Sequence, residues 1–194
     1  MAERPEAHLN LSTLYLRQGR SQKAERELQT ALRLDPRNIP ARINLADLYR
    51  STAREADAER LLTEALRLDP NVAEAHHALG LLCIRTSRRD EAMTYLKRAH
   101  DLQPANARCG YVYAVALNDR GRTAEAIRLL AALQPKVPSD RDVLVALASF
   151  EQSRGNWSQA IGWAEKLERI APDDREARAL VDQLKQQAAA ARRR

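Results

Sequence analysis

The stretch that decides the fold is residues 39–72, IPARINLADLYRSTAREADAERLLTEALRLDPNV. Near its end stands one of five prolines that recur every 34 residues: Pro36, Pro70, Pro104, Pro138 and Pro172. Internal similarity at a fixed period of about 20 to 50 residues is typical of solenoids and other repeat architectures. If each proline is position 32 of a repeat, the chain holds five repeats, at 5–38, 39–72, 73–106, 107–140 and 141–174.

Small residues recur in register within these repeats. Position 20 is always alanine: Ala24, Ala58, Ala92, Ala126 and Ala160. Position 8 is always small: Ser12, Ala46, Gly80, Ala114 and Ala148. Positions 4, 7, 8 and 11 share one face of a first helix, and positions 20, 24 and 27 share one face of a second. The sequence therefore predicts two helices per repeat that approach closely through positions 8 and 20.

Residues at the predicted helix ends support the same register. Position 15 is glycine in three repeats, Gly19, Gly121 and Gly155. Glycine adopts positive φ without a steric penalty, so a turn between the two helices is expected there. Proline at position 32 is expected to end each second helix. The next first helix is then expected to begin at an N-cap, supplied by Asn38, Asn106 and Asp140.

This pattern resembles the tetratricopeptide repeat (TPR) family over residues 5–172. The resemblance implies an all-α, right-handed helical-repeat solenoid, the TPR superhelix, with five helix-turn-helix units within residues 1–172. Residues 173–194 are predicted to form a C-terminal capping helix and a basic tail that ends in Arg192, Arg193 and Arg194. Trp157 and Trp163 are expected to pack near that capping helix.

Composition favours a soluble globular chain. Apolar residues make up 44% and charged residues 30%, while aromatic residues are only 4%, so alanine and leucine must fill the interior. The formal charge of +6 favours acidic partners. The sequence has no apolar run long enough for a membrane span and no signal peptide at MAERPEAHLN. A cytoplasmic location is predicted by default, and a periplasmic one if the chain belongs to a larger exported protein.

No catalytic or metal-binding motif is found, so the chain is predicted to be no enzyme and to need no cofactor or metal. His76 and His77 are neighbours on a helix and point about 100° apart, so they cannot chelate a metal together. His8 and His76 fall at position 4, which is expected to be buried. Cys83 is expected to be buried and inert, and Cys109 partly exposed.

The resemblance implies a concave groove lined by the first helices, with positions 2, 5, 6, 9, 12 and 13 pointing into it. The candidate ligand-binding residues are Leu9, Asn10, Thr13, Ile43, Asn44, Asp47, Arg50, His77, Leu81, Ile84, Arg85, Arg108, Tyr111, Val112, Val115 and Asn118. The N-terminal end of the set is polar and its centre is apolar, as in an interaction site with a polar rim. Tyr111 is the strongest single candidate. The alternative is that these side chains pack between neighbouring first helices.

The function predicted is that of a protein–protein interaction scaffold or adaptor that binds a peptide or helical segment of a partner. Chaperone C-termini are not expected as ligands, because only Asn44 matches the family's carboxylate clamp in any register. RNA binding is less favoured, because the groove has no ladder of lysines or arginines. Self-association is an alternative. So is an assembly module of a larger protein, because INLADLYR, EAHHALGLL and GYVYAVAL are similar to TPR segments appended to bacterial multihaem cytochromes.

Overall fold

The computed structural model describes residues 4–192, and this part of the chain forms eleven α-helices and no strand. Arg193 and Arg194 of the predicted basic tail lie outside the described residues. The chain divides into two compact units, Met1–Leu102 and Gln103–Arg194. The first unit holds repeats 1 to 3, and the second holds repeats 4 and 5 with the C-terminal helix.

The first unit consists of three helix pairs. Its helices are α1 (Pro5–Arg17), α2 (Ser21–Leu34), α3 (Ile39–Ser51), α4 (Glu55–Leu68), α5 (Ala73–Arg85) and α6 (Arg89–Leu102). Each first helix packs against the second helix of its own repeat, and α3 and α5 also pack against the second helix of the repeat before. This alternation is what a 34-residue helix-turn-helix repeat requires.

The second unit consists of two helix pairs and one further helix. Its helices are α7 (Ala107–Asp119), α8 (Thr123–Leu133), α9 (Arg141–Ser153), α10 (Trp157–Ile170) and α11 (Arg175–Ala191). A 3₁₀ turn, Gln134–Lys136, follows α8. The helix α8 therefore ends at position 27 of its repeat, whereas α2, α4, α6 and α10 all reach position 30. Pro135 explains the early end, because a proline ends an α-helix before the predicted stop at Pro138.

The helix pairs close through the predicted small residues. The five alanines at position 20 are at most 2% exposed, and Ser12, Ala46, Ala114 and Ala148 at position 8 are equally buried. Leucine at position 24 fills the space beside them in four repeats: Leu28, Leu62, Leu96 and Leu130. Small residues at both contact positions allow the backbones to approach, and leucine at position 24 adds apolar area that is removed from water.

The predicted caps are present. The side-chain oxygens of Asn38 and Asp140 each accept a backbone N–H three residues on, at 2.9 Å, and that of Asn106 does so at 3.1 Å. Asp174 caps α11 in the same way, through the N–H groups of Glu176 and Ala177. Each such bond satisfies one of the donors left free in the first turn.

The helix α11 covers the apolar end of the last repeat. Val181 and Leu184 are buried against Ala160 and Ala164 of α10, and Trp157 and Trp163 pack around this cluster as predicted. Two ion pairs join α11 to the last repeat. Arg141 of α9 pairs with Asp174, the N-cap of α11, at 2.5 Å, and Lys185 of α11 pairs with Glu165 of α10 at 2.9 Å. This arrangement gives the second unit the polar outer surface that a terminal repeat needs.

Two helices approach closely at Gly80, and this contact yields a prediction. A Cβ atom at Gly80 would lie 2.6 Å from Cγ of the buried Leu96, whereas a Cβ at the helical Gly162 meets nothing within 4 Å. We expect Gly80→Ala to lower the free energy of unfolding by about 1–3 kcal/mol through overpacking. Gly162→Ala should raise it by about 0.5–1 kcal/mol through helix propensity. Urea unfolding followed by circular dichroism measures both, and a stabilised Gly80→Ala variant would contradict the close approach.

Position 15 yields a second prediction. Gly19, Gly121 and Gly155 have φ of 70°, 75° and 76°, and the two repeats without glycine keep the same conformation, with φ of 58° at Ala53 and 61° at Ser87. An L-residue in this region is strained by about 1–2 kcal/mol. Ala53→Gly and Ser87→Gly are therefore each expected to raise the thermal midpoint. The converse change, Gly155→Ala, should lower the thermal midpoint. If both kinds of change shift the midpoint in the same direction, the backbone strain proposed for Ala53 and Ser87 is refuted.

Candidate functional site

The candidate residues of the first unit lie on one face of α1, α3 and α5, which we call the first-helix face. Asn10, Thr13, Asp47, Ile84 and Arg85 are exposed. A second group is half-buried: Leu9, Ile43, Asn44, Arg50 and Leu81. Part of this face is therefore accessible, while Leu9 and Ile43 also pack against the core of the first unit.

A cleft of about 280 Å³ lies on this face between α1 and α3. It is lined by Thr13, Leu16, Asn44, Asp47, Leu48 and Ser51. Leu16 is 37% exposed, although it is a large apolar residue, and Ile84 on α5 is 46% exposed. The face thus combines a cleft of mixed polar and apolar lining with accessible apolar side chains.

Two kinds of polar group occur on the first-helix face. Asp47 and Arg50 pair with each other at 3.1 Å, and Arg85 pairs with Glu55 at 3.3 Å while donating to the Arg50 carbonyl oxygen. These charges are engaged within the protein. By contrast, within residues 4–192 the side-chain amides of Asn10 and Asn44 have no hydrogen-bond partner. Both amides are therefore available to a ligand.

His77 was predicted to point into the groove, but the structure buries this side chain to 7% exposure, so it is not accessible to a ligand. The helix α5 that carries His77 packs against α3, α4 and α6, so fewer of its positions are accessible than the sequence pattern predicts. His76, expected to be buried, is half-buried instead. Its Nε2 lies 2.9 Å from the Pro70 carbonyl oxygen, and its ring is 6.0 Å from that of Tyr95. His8 is likewise half-buried, with Nδ1 2.7 Å from Glu27.

The remaining candidates belong to the second unit, on α7. Arg108 is exposed, and Tyr111, Val112, Val115 and Asn118 are half-buried. Asn118 accepts a hydrogen bond from the Thr123 hydroxyl at 2.9 Å, which joins the end of α7 to the start of α8. This hydrogen bond gives Asn118 a structural role at the turn, so Asn118 is a weaker ligand-binding candidate than Tyr111.

Both cysteines are buried free thiols. Burial raises the pKa of the Cys83 thiol, which disfavours the nucleophilic thiolate. Cys109 is also buried, so the expectation of partial exposure is wrong: it packs in the first turn of α7, where its N–H is capped by Asn106.

Two observations on residues 4–192 concern metal ligands and membrane-spanning helices. No group of three or more histidine, cysteine, aspartate or glutamate residues could hold a metal ion there. None of the described helices is both long and apolar enough to traverse a bilayer.

A larger cleft, which the sequence reasoning missed, lies on the opposite side of the first unit. Its volume is about 870 Å³, and residues of α2, α3 and α4 line it. Arg42 is the sequence feature that could have indicated this cleft. It places a permanent cation at position 4, where the other repeats have histidine, glycine or leucine.

A family model described as tetratricopeptide repeat matches residues 15–82 and 84–148, more than half of the chain. The chain therefore belongs to the tetratricopeptide repeat family, and the predicted all-α helical-repeat fold is confirmed. Proteins of this family act in general as protein–protein interaction scaffolds.

Solved structures share the fold at low identity. PilF of Pseudomonas aeruginosa has a TM-score of 0.80 and 19% identity, with 96% of this chain and 87% of that chain covered. MamA has a TM-score of 0.71 and 20% identity, with 84% and 95% covered. YrrB, described as a TPR protein with an unusual peptide-binding site, has a TM-score of 0.67 and 21% identity, with 92% and 90% covered. No curated protein matches the sequence significantly.

Proposed function

We propose that the chain is a scaffold that holds an extended or helical segment of a partner protein on its first-helix face. The single observation that carries the proposal is the exposure of large apolar side chains on that face, above all Ile84 beside the half-buried Leu81. Exposed apolar side chains within a polar surround are what an interaction site offers to the anchor residues of a partner.

The free amides support an extended segment as the ligand. Asn10 and Asn44 occupy position 6 of successive repeats, so they recur at equivalent places on α1 and α3. A side-chain amide both donates and accepts, and it can therefore bind a peptide N–H and C=O at once. In this arrangement the amides hold the partner's backbone and the apolar residues select its side chains. YrrB, which shares the fold, is described as having a peptide-binding site.

The proposed role is binding without catalysis. Cys83 is a poor nucleophile because its thiol pKa is raised by burial. The sequence-based alternatives, namely self-assembly, a module of a larger multihaem protein and RNA binding, stay predictions, as does the exclusion of chaperone C-termini. The exposed apolar side chains favour a protein ligand over nucleic acid, which needs cationic and stacking contacts.

The test uses a peptide selected from a random phage-displayed library against the purified chain. Ile84→Asp should weaken its affinity about tenfold or more, because a charge then occupies an apolar contact. Isothermal titration calorimetry measures the affinity.

The matched control is Ile170→Asp, because Ile170 is 39% exposed but lies on the second helix α10. Its affinity should equal that of the unmodified chain, and far-UV circular dichroism should show equal helicity in all variants. Equal affinities for Ile84→Asp and Ile170→Asp would contradict the proposal.

A further inference from the structure

The cleft on the other side of the first unit is bounded by the second helices α2 and α4, with α3 as its base. Its volume of about 870 Å³ lies within the range of about 300–1,000 Å³ that is usual for ligand sites. We call it the arginine cleft after its lining: Arg26, Gln29, Thr30, Leu32, Arg33, Arg42, Leu45, Tyr49, Arg60, Leu61 and Glu64.

The lining is strongly cationic, with four arginines against one glutamate. Arg26 and Arg33 lie two turns apart on α2, and both are exposed. In the described part of the chain neither pairs with a carboxylate, and Arg33 donates only to the Thr30 hydroxyl, at 2.8 Å. Arg60 and Glu64 face each other at 3.3 Å on α4. Two guanidinium groups therefore border the cleft without a counter-ion.

A third cation lies at the base. The Arg42 side chain is 15% exposed, and its Nη1 is 3.8 Å from Glu64, a long ion pair. Its Nη2 donates to the Pro36 carbonyl oxygen at 2.5 Å, while its buried Nε has no partner in residues 4–192. A partly desolvated guanidinium with incomplete compensation attracts an anion more strongly than an exposed one does. The anion should therefore enter the cleft above Arg42.

The rest of the lining favours a peptide over a nucleic acid. The Tyr49 ring is covered by Arg54, whose guanidinium carbon is 3.7 Å from the ring centroid. Arg54 is held there by Glu25 and Asp57, each at 2.8 Å. The ring is thus unavailable for stacking on a base, which is how single strands are usually held. Leu32, which is half-buried, instead offers an aliphatic contact.

We propose that the arginine cleft binds an acidic segment of a partner protein, whose carboxylates pair with Arg26, Arg33 and Arg42 while an aliphatic side chain packs on Leu32. This site is separate from the first-helix face and does not depend on the function proposed for it. Arginine suits such a ligand because its planar fork binds a carboxylate through two hydrogen bonds.

The chain supplies a matched pair of variants for the test. Arg33 and Arg67 both occupy position 29 of their repeats and both are exposed, but only Arg33 lines the cleft. The probe is a fluorescein-labelled hexapeptide of sequence Glu-Asp-Leu-Glu-Asp-Leu, with its Lys-Lys-Leu-Lys-Lys-Leu counterpart as the charge control. Fluorescence anisotropy at low ionic strength measures the affinity, because such contacts are screened by salt.

We expect the acidic peptide to bind, the basic one not to bind, and Arg33→Glu to weaken binding about tenfold more than Arg67→Glu does. Arg42→Leu should also weaken it, and leucine at position 4 is compatible with the fold because Leu144 occupies that place in repeat 5. Ile84→Asp should leave the affinity unchanged, so failure of this proposal is distinct from failure of the first-helix face.

Three results would overturn the arginine cleft as an acidic-segment site. The first is equal affinity of Arg33→Glu and Arg67→Glu, which would show that net charge alone is responsible. The second is no binding of the acidic peptide at low salt. The third is displacement of the peptide by a single-stranded RNA oligonucleotide whose own binding is also weakened by Arg33→Glu, which would make the cleft a nucleic-acid site.

Discussion

The structure depends on the close approach of two helices in each repeat, through position 8 of the first helix and position 20 of the second. Alanine is buried at position 20 in all five repeats, and position 8 is never larger than serine or alanine. At Gly80 the approach leaves no room even for a methyl group. Because protein interiors are packed as densely as organic crystals, a larger side chain there must separate the helices.

The contact between positions 8 and 20 uses one face of each helix, so exposed positions on the other faces can differ between repeats. On the first-helix face of the first unit the free positions hold two unpaired amides and exposed apolar residues such as Ile84. On the second-helix side of repeats 1 and 2 they hold the arginines of the arginine cleft. One packing rule thus supports two surfaces of different chemistry, and their distinguishing side chains are not the small residues that the helix contact requires.

Sequence alone predicted the features that local rules determine. The period, the small contact residues and the N-caps at Asn38, Asn106 and Asp140 were all available from spacing and residue type, and so was the packing of Trp157 and Trp163. The early end of α8 was not predicted, although Pro135 stands three residues before Pro138. The burial of His77 and Cys109 was not predicted, because it depends on tertiary packing around each side chain rather than on local sequence rules. The arginine cleft was missed because its residues come from three helices.

The most direct test of the close approach compares two alanine-to-glutamate changes in the first unit. Ala92 is 2% exposed at position 20 of α6, whereas Ala56 is exposed near the start of α4. Ala92→Glu buries an unpaired carboxylate between two helices, so it should lower the free energy of unfolding by about 3 kcal/mol or more. Ala56→Glu should change it by less than about 0.5 kcal/mol. Denaturant unfolding curves that coincide for the two variants would contradict the packing on which both surfaces rest.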